Sequence, residues 1–193
     1  MPAVDPRPVA LALLGGTFDP VHLAHLAMAR AALGALKVAK VVFLPTGRTA
    51  YRSPAIASPE DRVAMLELAL AGEPRFCVDR RELAPEASGY TVDTLRSFRA
   101  EIGDAPLWFL MGADQYEKLA TWREPAEVRR LARIAIFARP GFPPPDKHVE
   151  VIPMQPQPIS ASDIRARARR HEDLSALVPP SVAGYIERRA LYR

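Results

Sequence analysis

The chain predicts an α/β fold, a doubly wound parallel sheet with flanking helices, and three observations carry that expectation. Short apolar runs rich in β-branched residues alternate with segments of helical periodicity. The first run, Val9 to Leu14, is followed by a glycine pair, a helical pattern and a second run at Lys40 to Leu44, the spacing of a right-handed parallel crossover. Irregular stretches with Gly and Pro begin where the runs end, and in open α/β sheets ligand loops occupy the carboxyl ends of strands. With 193 residues and 49% hydrophobic content, residues 1–193 read as one domain with a full core and a helical portion from about 160 to 193.

Met1 to Pro8 reads as a short disordered lead. Gly15-Gly16 then breaks the first strand, and a helix follows, with Asp19 able to cap it, Pro20 suited to its first turn, and Leu23, Leu26, Ala27 and Ala31 at apolar helical spacing. A strand, a glycine turn and a helix N-terminus together make an anion site, because backbone N–H groups can approach a phosphate and the helix dipole favours negative charge. His22 and His25, three residues apart, share one face of the first turn. Two imidazoles beside a phosphate-sized nest suggest chemistry on a nucleoside triphosphate. A tight turn with a surface histidine pair, or half of a metal site, accounts for the same residues.

The second strand ends at Pro45, and Thr46 to Pro59 lacks periodicity and reads as a loop. Ser58-Pro59-Glu60-Asp61 starts a helix with Val63, Leu66 and Leu70 on its apolar face, and a structural role is expected for it. Arg75 to Val78 is a short strand. A helix opening at Thr91 or its neighbour runs to about Glu101, its free N–H groups suited to a carboxylate. Leu107 to Met111 is a strongly apolar strand ending in Gly112-Ala113-Asp114, where glycine lets a ligand approach and an aspartate can accept ribose hydroxyl protons; a turn with an N-cap is the plainer alternative. Trp122, in the polar string Ala120-Thr121-Trp122-Arg123-Glu124, suits a binding surface. Ile134 to Ala138 is a strand closing with Arg139-Pro140-Gly141, Phe142 to Lys147 a surface loop, and Val149 to Ile152 a late strand. Ser160 with Asp163 approximates a capping box ahead of Arg165, and Val178-Pro179-Pro180 opens a last helix expected to serve packing.

Charge and cysteine usage narrow the class. A formal charge of +4 suits polyanionic ligands and is too mild to argue for nucleic acid. Cys77 is the only cysteine, which leaves no internal disulfide or thiolate metal site and reads as a small buried hydrophobe. No apolar stretch reaches membrane-spanning length and Met1 to Arg7 lacks a signal-peptide pattern, so a cytoplasmic enzyme without a membrane partner is expected.

The string Gly15-Gly16-Thr17-Phe18-Asp19-Pro20-Val21-His22-Leu23-Ala24-His25 resembles the signature G-G-T-F-D-P-x-H-x-G-H of bacterial nicotinate-nucleotide adenylyltransferases, within the HxGH nucleotidyltransferase superfamily. Ala24 departs from the usual glycine. Further matches follow in the family's order: Tyr90-Thr91-Val92-Asp93-Thr94-Leu95, Gly112 and Asp114 followed by Trp122, Arg139-Pro140-Gly141, and Ile159-Ser160-Ala161-Ser162-Asp163-Ile164-Arg165. Gly89 is inserted after Ser88, and around Arg52 the usual prolines are missing, with Tyr51 in place of histidine. The resemblance implies a Rossmann-like sheet of the nucleotidyltransferase type.

It also implies the reaction: adenylyl transfer from ATP to nicotinate mononucleotide, giving nicotinate adenine dinucleotide and pyrophosphate in NAD biosynthesis. His22, His25 and Arg165 would be the catalytic donors, with Gly15, Gly16, Thr17, Phe18, Gly112, Asp114 and Ser160 completing the ATP site. Thr46, Arg52, Tyr90, Thr91, Trp122 and Arg139 would bind the mononucleotide, with Thr91 on the pyridine carboxylate and Trp122 stacked on the ring. The attacking phosphate oxygen is already a competent nucleophile, so no general base is required. Mg2+ is expected on the phosphates, keeping several waters. A nicotinamide mononucleotide or phosphopantetheine acceptor, a non-catalytic nucleotide-binding module and a homo-oligomer all stay open at this point.

Overall fold

A computed structural model describes residues 9–47, 54–138 and 141–193. Six strands form one all-parallel sheet: β1 (Leu11–Gly16), β2 (Lys40–Pro45), β3 (Phe76–Val78), β4 (Leu107–Gly112), β5 (Arg133–Ala138) and β6 (Val149–Pro153). Their order is β3-β2-β1-β4-β5-β6. The chain winds outward from β1 to β3, returns, and winds the other way from β4, so the crossovers diverge between β1 and β4. That divergence opens a crevice at the carboxyl ends of these two strands, the place where such sheets bind ligands.

The helices are α1 (Leu23–Ala35), α2 (Pro59–Leu70), α3 (Thr91–Ile102), α4 (Ala113–Glu117), α5 (Pro125–Leu131), α6 (Ala161–Arg169) and α7 (Pro180–Arg188). Alternation along the strands sends successive side chains into two cores. Ala12, Leu14, Val41 and Phe43 face a cluster with Leu26, Leu66, Ile164 and Val182, from α1, α2, α6 and α7. Leu13, Val42, Leu44 and Phe109 face the opposite cluster with Leu95, Phe98, Val128 and Leu131, from α3 and α5. The sheet is therefore covered on both faces, as the doubly wound expectation requires.

Several local expectations are corrected. Gly15 and Gly16 do not break β1 but complete it, in register with Leu44 and Pro45. Asp19 does not cap α1, and Pro20 is not in its first turn: the N-cap is His22, and Asp19-Pro20 is a cis peptide in the preceding turn. Nearby sequence suggested a cap because aspartate before an apolar pattern normally finds local N–H groups, whereas this carboxylate finds distant ones. Val9 lies outside the strand and is exposed. Cys77 is half-buried in β3, its thiol near the Val41 carbonyl, rather than sequestered in the core. Met1 to Pro8, Tyr51, Arg52 and Arg139 lie outside the described residues.

Candidate active site

The crevice is built around the turn from β1 into α1. Gly15 is exposed and Gly16 half-exposed, leaving strand-end backbone within reach of a ligand. A Cβ at Gly16 would stand 2.9 Å from the Phe18 ring, so glycine is what lets Phe18 fold back beneath the strand end. Phe18 takes a positive φ of 50° and is buried at 2% exposure, with its ring edge-on to His25 at 4.9 Å. The turn is thus locked from below by an aromatic side chain while its backbone stays open above.

His22 and His25 occupy the N-cap and third position of α1, and their rings stack at 3.7 Å. The His22 backbone N–H donates to His25 Nδ1 at 3.3 Å, so a neutral His25 carries its proton on Nε2. Burial pushes His22 down to about 4 and, with its neighbour's charge, holds His25 well below the ordinary range. Both are neutral at physiological pH, so each donates through one N–H; the Nδ1 of His22 is buried without a partner among the described residues. Ala24, between them, is itself buried.

The turn is held by residues far away in sequence. Asp19, 4% exposed, accepts the Ile56 N–H on Oδ2 at 2.7 Å, and on Oδ1 the Ala57 N–H at 3.1 Å and the Tyr192 hydroxyl at 2.8 Å. Burial and that carboxylate hold the Tyr192 phenol far above its ordinary range, so it stays a donor. Arg62 of α2, only 2% exposed, donates from Nη1 to the Thr17 carbonyl at 2.7 Å and the Thr46 carbonyl at 2.9 Å, tying the ends of β1 and β2 together. Its Nε is buried without a partner among the described residues. The α2 helix, expected to be purely structural, therefore supplies a cation beneath the crevice.

Arg165 reaches the same turn from α6. Its Nη1 donates to the Asp19 carbonyl at 2.7 Å, and its other N–H groups make no hydrogen bond to a described residue. The guanidinium is thus held three residues before His22, with most of its donors unused by the described residues. Ser160 caps α6 by accepting the Asp163 N–H at 3.2 Å and contacts the Ser162 hydroxyl; this is the N-cap half of the expected capping box, since the Asp163 carboxylate accepts from Arg167 instead, and the Ser160 residue is exposed at the helix N-terminus.

The other rim is formed by α3, β4 and the segment after α4. Tyr90 is the N-cap of α3 and Thr91 its first residue; the Thr91 hydroxyl makes no hydrogen bond to a described residue. Ser88 organises this end, accepting the Tyr90 N–H and donating to Asp93 at 2.7 Å. Trp122 is half-buried and edge-on to Phe109 of β4, ring centres 6.1 Å apart. Arg123 lies over the Tyr90 ring at 4.6 Å. Gly112 is the N-cap of α4 with exposed Asp114 in its first turn, beside the Gln115 amide. Thr46 follows β2, and its neighbour Gly47 is forced by contact: a Cβ there would meet the Glu82 carbonyl at 2.1 Å.

Sequence reasoning missed Arg62 and Tyr192. Each lies on an amphipathic helix or in the segment after one, and only its pairing with residues 45 and 173 positions away gives it a role at the turn. A charged residue at a buried helical position was the available signal for Arg62. Among the described residues no group of three or more His, Cys, Asp or Glu is placed to hold a metal ion, and no helix is long and apolar enough to cross a membrane.

The chain is similar to known proteins over nearly its whole length. A cytidylyltransferase-like family model matches residues 13–167. A probable nicotinate-nucleotide adenylyltransferase of Laribacter hongkongensis is 42% identical, over 98% of this chain and 97% of its own length. One of Chromobacterium violaceum is 39% identical over 94% and 97%. In fold alone, a nicotinic acid mononucleotide adenylyltransferase of Plasmodium falciparum, solved in complex with NaAD, superposes with a TM-score of 0.79 at 17% identity, over 95% of this chain and 97% of that one. The chain belongs to the nicotinate-nucleotide adenylyltransferase family, a family of nucleotidyltransferase enzymes.

Proposed function

We propose that the chain transfers the adenylyl group of ATP to nicotinate mononucleotide in NAD biosynthesis, acting in the cytoplasm as one domain. An oxygen of the mononucleotide 5′-phosphate attacks the α-phosphorus of ATP. The bond from that phosphorus to the bridging oxygen breaks, and pyrophosphate leaves with the electron pair. The obstacle is bringing two polyanions together and stabilising the leaving group's charge, so positioned donors rather than a general base supply the catalysis.

The observation that carries this reading is the hydrogen bond from Arg165 to the Asp19 carbonyl, which joins a late guanidinium to the turn leading into the stacked imidazoles. His22, His25 and Arg165 would hold the triphosphate, with backbone N–H groups of Gly15 to Phe18 and the Ser160 hydroxyl. Gly112 and Asp114 would take the ribose side. Mg2+ enters with ATP as part of the substrate and screens its phosphate charge; the hydrated ion suits a site whose nearby donors are imidazole and guanidinium rather than clustered carboxylates. At the opposite rim, Thr91 at the α3 N-terminus would receive the pyridine carboxylate and Trp122 the ring. Tyr90 and Thr46, with Arg52 and Arg139 from outside the described residues, would take the rest of the mononucleotide.

Pyrophosphate release with ATP and each acceptor in turn tests the proposal. Release is expected with nicotinate mononucleotide. Release only with nicotinamide mononucleotide or phosphopantetheine, or none with any acceptor, contradicts it.

A further inference from the structure

We infer that Tyr192 is a positioning residue for Arg165: its hydroxyl, bonded to the Asp19 carboxylate, fixes the backbone carbonyl on which the guanidinium is held. The inference rests on the proposed function for the identity of the ligand Arg165 binds, while its geometry stands apart from it. Asp19 is gripped at both ends. Its carbonyl accepts Arg165 Nη1 at 2.7 Å and its carboxylate accepts Tyr192 at 2.8 Å. A carboxylate so held cannot rotate, and the peptide plane that presents the carbonyl is fixed with it.

Tyr192 is the only side chain among the described residues that donates to this carboxylate; the two other donors are the Ile56 and Ala57 backbone N–H groups. Its ring is 5% exposed and packs in the same cluster as Phe18, Val21 and Ile164, joining the turn to the α6 helix that carries Arg165. The backbone there is left-handed at non-glycine residues, with φ of 50° at Ala190 and 66° at Tyr192. Such a conformation persists only where surrounding contacts over-determine it. Neighbouring contacts supply that constraint: Leu191 N–H bonds the Ile186 carbonyl, and Arg189 and Tyr185 both bond Asp61, adjacent to Arg62 on α2. The segment after α7 therefore braces the Thr17–His22 turn through Asp19.

Plain packing and positioning separate experimentally. Tyr192→Phe keeps the buried ring and removes only the donor. With kcat and KM measured for each substrate, the variant is expected to lose about tenfold in kcat/KM for ATP, the scale of one buried hydrogen bond, with the mononucleotide KM within about twofold of wild type. In an Arg165→Gln background the same change is expected to cost less than about twofold, because its effect has to pass through Arg165. Full additivity, an equal loss for both substrates, or unchanged ATP parameters overturns the inference. Should Tyr192→Phe not fold, Asp19→Asn in the same two backgrounds is expected to give the same ATP-selective, non-additive loss. Calorimetric ATP titration of the same variants gives a second readout: a wild type that binds ATP but releases no pyrophosphate counts against the proposed reaction, whereas additive losses of ATP affinity count against the positioning role.

Discussion

The two rims of the crevice are held by different physics. On one rim the turn from Thr17 to His22 is fixed by buried groups: Arg62 on two carbonyls, Asp19 on three donors, Phe18 under the strand end. On the rim of Tyr90 and Trp122 the charged contacts are exposed. Arg96 bridges Asp93 and Glu124 in solvent, and Arg123 lies over Tyr90 at half exposure. Buried hydrogen bonds and charges tolerate little displacement, because a separated partner is left unsolvated; exposed ion pairs rearrange at small cost. A rigid half and an adjustable half suit the proposed division of labour, with charge stabilised by preorganised donors on one side and an acceptor recognised on the other.

The contrast is sharpest at His25. Replacing it with Ala is expected to lower turnover roughly 10²–10³-fold, the effect of removing one preorganised donor, in pyrophosphate release at saturating substrates. Wild-type turnover would remove the phosphate rim from the chemistry. Arg62→Met comes next and acts differently, through stability: stripping the buried cation leaves the Thr17 and Thr46 carbonyls unsatisfied, at a cost of about 3 kcal/mol in urea denaturation. Apparent KM values for both substrates should rise as well, because the two carbonyls follow different strands. A change below about 0.5 kcal/mol would mean that the two strand ends do not depend on the guanidinium.

Trp122→Ala probes the softer rim. The nicotinate mononucleotide KM is expected to rise about tenfold, within the range of aromatic stacking, with the ATP KM unchanged. An equal rise in both would erase the distinction between the rims. The smallest effect is that of pH. His22 is held near 4 in the fold against about 6.5 when unfolded, so between those values the unfolded chain binds more protons. Its contribution is complete about a unit above pH 6.5 and lost as pH falls toward 4, a decrease of about 1 kcal/mol by pH 5.5 that His22→Gln should remove, leaving the share carried by His25, which burial also holds well below its ordinary range. An identical decline in that variant would place the acid sensitivity elsewhere.

Much of this molecule could be read before its coordinates. Apolar runs located the six strands to within two residues at most ends, since buried parallel strands carry their signal in local composition. The glycine string, the histidine pair and Arg165 were legible as candidates because they fall in compact motifs. What sequence could not give is what holds the turn. Asp19 reads locally as a helix cap, yet its partners are 37, 38 and 173 residues away. Arg62 belongs to a helix whose apolar periodicity suggested packing alone, and its two carbonyls come from separate strands. Local pattern encodes elements; the bracing of a functional turn is long-range and becomes visible only once the sheet is assembled.

The sharpest experiment is a crystal structure of the chain with ATP and Mg2+. The triphosphate is expected in the crevice between β1 and β4, within about 3 Å of His25 Nε2 and of the remaining donors of Arg165, with the Thr17–His22 turn unmoved. A triphosphate bound away from those groups, or a turn that has to refold to receive it, would overturn the shared phosphate site.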